Sequence, residues 1–304
     1  ISGPYQHENL AIFLLHGKDA TDNETSFLSL NEALQKNKIV VKETGDVNRL
    51  VIKNTSDQYV FIQAGDIVRG GKQDRLMAYD LLLEPRSGKV SIDAFCVERG
   101  RWGSRGAESA AEFASSENRA PAKLKAAYRE EKSQGEVWKK VEEMQTDLGV
   151  AVDSDLRRAA SPTSLEMSLD SEKVKKAVAP YNLEFEGAVD KHDDAIGAVA
   201  LINGEIHSAN VYAWHELFVA VWPQLVAELA VDAVGAEPID SRRATLSADE
   251  LRAFLLPTGD AETVTTRIAP GVSEEVARYG DAIQFVNRDA DHGWIRAETV
   301  RKEN

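Results

Sequence analysis

The chain has 304 residues, of which 43% are hydrophobic and 28% are charged, and its formal net charge at pH 7 is −14. A chain of this length can bury a large core, as one domain or as two. The acidic balance argues against broad binding of nucleic acid or of anionic membranes, because both require a basic surface.

Four further features bound the class of protein. The longest apolar candidate, 211–234, is interrupted by charged residues and a proline, so no membrane span is predicted. Cys96 is the only cysteine, which excludes an intramolecular disulfide and leaves the redox compartment open. The chain starts at Ile1 without a methionine, so export and cytoplasmic retention both stay open, as does the oligomeric state. The histidines show no metal-ligand spacing, and we predict neither a metal site nor a cofactor.

The N-terminal third predicts a β-rich structure. Strands are predicted at 9–16, 39–41, 49–52 and 60–62, with a short helix at 28–35. Segments 80–83 and 90–97 form a candidate hairpin, because Pro85, Ser87 and Gly88 between them suit a tight turn.

Helical periodicity follows in the middle of the chain. Segments 107–114 and 122–148 are rich in Ala, Glu and Lys and are predicted to be helical, with Gly135 weakening the longer one. Segment 151–168 predicts a loop or a broken helix. Segment 174–178 predicts a short helix that Pro180 ends.

The C-terminal part mixes both kinds of element. Asn203 and Gly204 between apolar runs predict a hairpin. A helix is predicted at 215–233, kinked by Pro223, and another at 247–254, where Ser247 and Glu250 form a capping box. Late strands are predicted at 263–268, 282–286 and 293–295.

This order of elements favours an α+β fold over an alternating β/α layout. We predict a β-rich N-terminal part at 1–106, a helical segment at 107–180 and a mixed α/β C-terminal part at 181–304. The alternative is that all three parts pack as one compact domain.

The stretch 63–75 concentrates the residues that point to a binding site. Gly65, Gly70 and Gly71 allow positive φ or close backbone approach. A Walker nucleotide site is disfavoured, because five residues rather than four separate Gly65 from Gly71, and Gln73 replaces the hydroxyl residue that would hold magnesium. Glycine-rich backbone amides beside Arg and Lys can still cradle a phosphate or a carboxylate.

A second charged turn, 98–102, is expected to lie beside this stretch. Residues 63–105 carry eight Lys or Arg against six Asp or Glu, so this region is mildly positive within an acidic chain. Such a region suits a small anion better than a polymer. Cys96 has mainly apolar neighbours and is expected in the core, with activation by Arg99 and Arg101 as the nucleophile alternative.

Two hypotheses follow. In the first, the loops bind or process a small anionic ligand, and the proposed acid–base residues are Asp66, Asp74 and Glu98. The ligand would be held by Gly65, Arg69, Gly70, Gly71, Lys72, Gln73, Arg75, Arg99, Arg101 and Trp102. In the second, the same charges form an internal Arg–carboxylate network in a non-catalytic interaction or structural module.

Two runs of sequence carry a family resemblance. Residues 61–75 (FIQAGDIVRGGKQDR) and 95–102 (FCVERGRW) resemble the signature of the ARG-and-rhodanese-phosphatase-superfamily-associated protein domain. Segments 202–206, 217–218 and 222–225 are similar to its C-terminal half. The resemblance implies a bacterial family with no assigned reaction. The family name records association with ADP-ribosylglycohydrolases and rhodanese-like phosphatases, which implies a link to ADP-ribose or NAD metabolism by association only.

Overall fold

The computed structural model describes residues 1–21, 26–46, 48–101, 103–106, 108–157, 161–236, 244–257 and 259–302. The described part of the chain contains 7 helices and 17 strands, at 29% helix and 38% strand. The first third is β-rich and the helices come later, which confirms the predicted α+β class.

The strands are β1 Ser2–His7, β2 Leu10–His16, β3 Phe27–Ser29, β4 Ile39–Glu43, β5 Arg49–Asn54, β6 Tyr59–Ile62, β7 Asp66–Gly70, β8 Arg75–Met77, β9 Leu81–Leu83, β10 Val90–Cys96, β11 Phe113–Arg119, β12 Ala195–Ile202, β13 Glu205–Tyr212, β14 Glu262–Ala269, β15 Val272–Tyr279, β16 Ala282–Asp289 and β17 Gly293–Arg301. The helices are α1 Leu30–Gln35, α2 Ala122–Glu131, α3 Gln134–Ala151, α4 Leu165–Leu169, α5 Glu172–Phe185, α6 His215–Gly235 and α7 Ala248–Leu255.

The chain divides into two compact units. Unit 1 comprises Ile1–Glu24, Pro180–Leu229 and Glu237–Asn304, and unit 2 comprises Thr25–Ala179 and Ala230–Ala236. The predicted partition at residues 106 and 180 stays a prediction.

Unit 1 is built on an eight-stranded antiparallel sheet in the order β1-β2-β12-β13-β17-β16-β15-β14. The predicted hairpin between β12 and β13 is confirmed, and both turn residues have positive φ, 54° at Asn203 and 81° at Gly204. Apolar side chains from alternate positions of these strands form one core with α7, including Phe13, Leu201 and Phe254.

The helices predicted at 215–233 and 247–254 are confirmed as α6 and α7, and α7 has its predicted capping box. Ser247 accepts a hydrogen bond from the Glu250 backbone while the Glu250 side chain accepts from Ser247, a complete capping box at the start of α7. In the described chain, α6 alone is long and apolar enough to cross a membrane by length and composition. Because 67% of its apolar window is buried inside the protein, the described residues give no clear membrane span.

Unit 2 contains a six-stranded antiparallel sheet in the order β11-β7-β8-β10-β5-β4 and a three-stranded sheet in the order β3-β6-β9. An isolated bridge between Lys42 and Glu112 brings the two edge strands of the larger sheet, β4 and β11, together. The β7–β8 hairpin lies inside this sheet, and the hairpin contains most of the glycine- and arginine-rich stretch 63–75.

The structure corrects one predicted strand pairing and one predicted helix. Segments 80–83 and 90–97 do not pair with each other, because β9 pairs with β6 and β10 pairs with β5 and β8. The turn between them carries the chain from one sheet to the other. The helix predicted at 107–114 is also wrong in the described residues, since β11 begins at Phe113; Ala107 lies outside them.

The structure also corrects two helix boundaries. The helix predicted at 122–148 is two helices, because Lys132 adopts a left-handed conformation (φ 48°) and Ser133 caps the start of α3. Pro180 does not end α5, which continues to Phe185. A proline in a helix removes one backbone hydrogen bond, and the next residue, Tyr181, is buried and anchored through its hydroxyl to Asn9.

Candidate functional site

The candidate site lies in unit 2, where the β7–β8 turn meets the segment that follows β10. The Gly70 backbone N–H donates to Asp74 Oδ1 at 3.0 Å, and the Gly71 N–H donates to the Ser109 carbonyl at 2.9 Å. The Lys72 N–H donates to Glu43 Oε1 at 3.0 Å. The Gly70 and Gly71 amides, which were expected to hold an anion, and the neighbouring Lys72 amide therefore all have acceptors from the protein itself.

Gly71 is required by its surroundings. Its φ is +57°, and a Cβ built there would lie 2.4 Å from Cζ of Phe113 and 2.7 Å from Oε1 of Glu43. Gly70 has a φ of +111° and sits against the backbone of Glu112. The glycine pair thus serves a tight turn packed against β11.

The carboxylate of Asp74 is the centre of the site. Its Oδ1 lies 3.2 Å from Arg101 Nη2, and its Oδ2 lies 3.1 Å from Arg105 Nη1 and 3.2 Å from the Ser164 hydroxyl, which donates to it. Asp74 is fully buried. We call Asp74, Glu98, Arg101, Arg105 and Ser164 the Asp74 network.

Glu98 is the second carboxylate of the network. Its Oε2 accepts from Arg101 Nε at 2.7 Å and from the Asp74 backbone N–H at 3.2 Å, while Arg105 Nη1 lies 3.8 Å from its Oε1. The Glu98 carbonyl accepts from Gln73 Nε2 at 2.9 Å. These bonds confirm that the two predicted segments lie side by side, and they place Gln73 and Glu98 in the interior.

Arg101 has no spare hydrogen-bonding capacity. A guanidinium carries five N–H donors, and in addition to the two carboxylates Arg101 donates to three backbone carbonyls. Their distances are 3.4 Å to Gly70, 3.3 Å to Gly71 and 2.6 Å to Gly103. Its five acceptors account for its five donors.

Arg75 and Asp66 are also engaged internally. Arg75 is fully buried, and its Nη2 lies 3.3 Å from Glu43 Oε1. Asp66 lies 2.8 Å from Arg119 Nε and accepts from the Gln63 backbone N–H at 2.8 Å. Gly65, with φ +96°, turns the chain immediately before Asp66. Neither Arg75 nor Asp66 faces a cleft in this arrangement.

Of the remaining predicted residues, those that the structure describes lie towards the surface. Lys72 and Arg99 are exposed, and the Arg99 guanidinium lies over the Trp138 ring, 5.6 Å from its centroid. Trp102 lies outside the described residues. Arg69 is 39% exposed, and its Nε donates to the Ser115 carbonyl at 3.0 Å.

Cys96 is buried in β10, and burial raises the pKa of its thiol. A thiol held in its protonated form is a poor nucleophile. The expected place in the core is therefore confirmed, and the surroundings oppose the nucleophile alternative.

Glu166 is the main residue that the sequence did not single out. It is the second residue of α4, whose N-cap is Ser164, and its Oε2 accepts from the Ser116 hydroxyl at 2.7 Å and from Asn118 Nδ2 at 3.2 Å. Its Oε1 lies 3.8 Å from Arg69 Nε. Burial raises the pKa of Glu166 to about 7, against the lowering effect of the two hydrogen bonds.

Asp74 responds to its environment in the same direction. Burial raises the pKa of Asp74, the bond from Gly70 lowers it and the charge of Glu98 raises it. Two carboxyl groups with raised pKa values in one region are a recognised mark of functional sites, although structural ion-pair networks perturb pKa values too. Chemically, this region can hold a proton near neutral pH.

A family model settles the relationship of the chain. The model for ARPP-1, the ARG and Rhodanese-Phosphatase-superfamily-associated Protein domain, matches residues 1–297. The chain belongs to the ARPP-1 family. The resemblance expected from segments 61–75 and 95–102 is thereby confirmed. Neither a curated protein nor a solved structure matches this ARPP-1 chain.

Four residues of the ARPP-1 site had escaped the sequence reasoning as site residues: Glu43, Arg105, Ser164 and Glu166. Glu43 and Glu166 approach the turn from distant parts of the chain, and neither lies in a recognisable pattern. Arg105 had a signal, since it belongs to the mildly positive region that ends at residue 105.

Proposed function

We propose that segments 63–75 and 98–105 form an internal arginine–carboxylate network, and that unit 2 acts as a non-catalytic interaction module. The observation that carries this proposal is the position of the Asp74 carboxylate. It accepts from the Gly70 amide, Arg101, Arg105 and Ser164, which are the donors that a bound anion would require. The protein therefore supplies its own anion to this nest of donors.

Local charge supports the same conclusion. The guanidinium groups of Arg101 and Arg105 are matched by the carboxylates of Asp74, Glu98 and Glu108. A further negative charge brought here would be repelled by the carboxylates at short range, where partial burial keeps the interaction strong. Stabilising an anionic transition state needs donors that are free before the reaction begins.

A thermal-shift panel of phosphate, ADP-ribose, NAD and nucleotides tests the network proposal. We expect that no ligand will act through Arg101, and that Arg101→Lys will be destabilised without any ligand, because lysine cannot reproduce the planar fork. A ligand at a hundredfold excess over its dissociation constant adds roughly 2.7 kcal/mol of stability. Stabilisation of that size in the native chain, lost in a folded Arg101→Lys variant, would refute the proposal.

A second candidate function concerns Arg69, and one observation favours it. Arg69 is 39% exposed, and the carboxyl group 3.8 Å from it, Glu166, has a pKa of about 7. When Glu166 is protonated, Arg69 loses its nearest counter-charge. We infer that Arg69 can then hold a small anion, of which an ADP-ribose-like or other phosphorylated metabolite is the class suggested by the family association.

The Arg69 candidate makes a prediction with a definite sign. ADP-ribose should stabilise the chain more at pH 6 than at pH 8, because Glu166 takes up a proton in that range while the pyrophosphate charge of the ligand stays constant. Arg69→Gln should abolish the effect, and Arg86→Gln, at an exposed arginine of the same unit, should retain it. Stabilisation that is equal at both pH values, or equal in both variants, would exclude Arg69 as the anion site.

A further inference from the structure

Unit 1 contains a serine, a histidine and an aspartate joined by hydrogen bonds in series. The Ser2 hydroxyl lies 2.9 Å from His16 Nε2, and Asp194 Oδ1 lies 2.7 Å from His16 Nδ1. The two ring nitrogens of one imidazole are thus engaged by a hydroxyl on one side and a carboxylate on the other. We call Ser2, His16 and Asp194 the Ser2 relay. It is separate from the Asp74 network, all of whose members belong to unit 2.

Three neighbouring strands of the eight-stranded sheet position the relay. Ser2 begins β1, His16 ends β2, and Asp194 immediately precedes β12. Ala195 pairs with His16 in the β2–β12 register, and the Gly17 N–H donates to the Asp194 carbonyl at 2.9 Å, which fixes the aspartate beside the imidazole. The relay is therefore held by strand pairing at one end of the sheet.

The backbone at Ser2 is constrained as well. The β1–β2 register is irregular between Ser2 and Tyr5, where Gly3 has a φ of +115°. A Cβ at Gly3 would lie 2.8 Å from the Ile12 carbonyl oxygen, so only glycine fits there. This irregularity sets the position of Ser2 relative to the end of β2.

The second histidine of the region supports the imidazole from the side. The His192 ring lies edge-on to the His16 ring at 5.2 Å between centroids, and His192 Nε2 lies 2.7 Å from the Tyr5 hydroxyl.

The hydrogen bond to His16 lowers the pKa of Asp194, which keeps the aspartate ionised. An ionised carboxylate on Nδ1 selects the tautomer whose Nε2 can accept a proton from a hydroxyl.

Solvent can reach this group. The side chain of His16 is 23% exposed, that of Asp194 is 67% exposed, and Ser2 is partly exposed. A nucleophile, a base within hydrogen-bond reach and a third group that orients the base are the side chains that activate a serine for acyl transfer, whatever their order in the sequence.

We propose that Ser2, His16 and Asp194 form a nucleophilic site for small carboxylic esters. Ser2 Oγ bonds to the ester carbonyl carbon while its proton passes to His16 Nε2. Collapse of the adduct breaks the bond to the leaving oxygen, which takes that proton. Water then attacks the acyl-serine through the same base, releasing the carboxylic acid and restoring Ser2. Asp194 acts as a positioning residue throughout.

A fluorophosphonate probe tests the site directly, because it bonds to a serine oxygen only when a base removes the proton. The full chain is incubated with the probe, and the modified residue is located by mass spectrometry, with hydrolysis of p-nitrophenyl acetate measured in parallel. We expect modification at Ser2 that Ser2→Ala abolishes and that Ser273→Ala, at a partly exposed serine of the same unit, leaves intact.

The base and its partner are tested separately. His16→Gln should slow labelling at least about a hundredfold, the lower end of what a general base contributes. Asp194→Asn, at a largely exposed position where the fold should be kept, should slow it at least about tenfold, a smaller loss than at a buried triad aspartate. Absence of label at Ser2, or label that is unchanged in both variants, would overturn the proposal.

Discussion

Replacing Glu166 by glutamine isolates the most perturbed carboxyl group of unit 2. The substitution keeps the size of the side chain and an oxygen that can accept from Ser116 and Asn118, but it removes the titration. Because the pKa of Glu166 in the folded chain is about 7, against an ordinary value of 4.5 for a glutamate, the folded state binds this proton more tightly than the unfolded state does. Native stability from this source is therefore present at low pH and is lost as pH rises through 7.

The magnitude follows from those two values. One pKa unit corresponds to about 1.4 kcal/mol, so the full contribution is about 3 kcal/mol, of which about 2.5 kcal/mol is lost between pH 5 and pH 8. The Glu166→Gln variant has no titrating group at this position, so it does not lose this stability as pH rises. The free energy of unfolding of the variant should thus rise relative to that of the native chain by about 2.5 kcal/mol over this range.

Urea unfolding at pH 5, 6, 7 and 8 measures the difference, and comparing the two proteins cancels the other titrating groups. In thermal unfolding the same change should appear as a relative shift of roughly 5–10 °C, at about 2–4 °C per kcal/mol. Glu117→Gln, at an exposed glutamate of β11, is the matched control and should follow the native chain. Parallel pH profiles for the native chain and Glu166→Gln would refute the reasoning.

Two further predictions concern the turn. Asp74→Asn should cost roughly 3–5 kcal/mol in urea unfolding, because a neutral amide replaces the fully buried carboxylate that the largely buried guanidinium groups of Arg101 and Arg105 share. Asp57→Asn, at an exposed position, should cost little; similar costs at both positions would contradict the network. The free energy of unfolding of Gly71→Ala should be lower than that of Gly45→Ala by about 1–3 kcal/mol. Both glycines have positive φ, but only at Gly71 would the added methyl group lie against Phe113. Equal free energies of unfolding would rule out that contact.

The sequence predicted correctly those parts of the fold that depend on a few adjacent residues. The Asn203-Gly204 hairpin and the capping box of α7 were both expected, because each places a specific backbone demand on one or two positions. The pairing of β9 with β6, and of β10 with β5 and β8, was not expected. Which strand lies next to which is decided by burial in two separate sheets, and a turn-like sequence between two strands does not record it.

The candidate site divides in the same way. Clustered glycine and arginine located the turn, and the proximity of Glu98 to Asp74 was expected from the two charged segments. The partners from distant segments, Glu43 and Glu166, carry no local signal, because ordinary strand and helix sequences contain many such glutamates. Nor can a sequence reveal that the Asp74 carboxylate accepts the hydrogen bond of the Gly70 N–H, because this depends on the rotamer of one side chain.

The bridge between Lys42 and Glu112 has a consequence for behaviour at high concentration. Strands at the rim of a sheet expose unpaired N–H and C=O groups that can recruit strands from other molecules. Here the Glu43 N–H donates to the Ala111 carbonyl at 3.2 Å, and the Lys42 ammonium lies 2.9 Å from the Glu112 carboxylate. At this point the two edges of the six-stranded sheet pair with each other, so their N–H and C=O groups are not available to strands of other molecules.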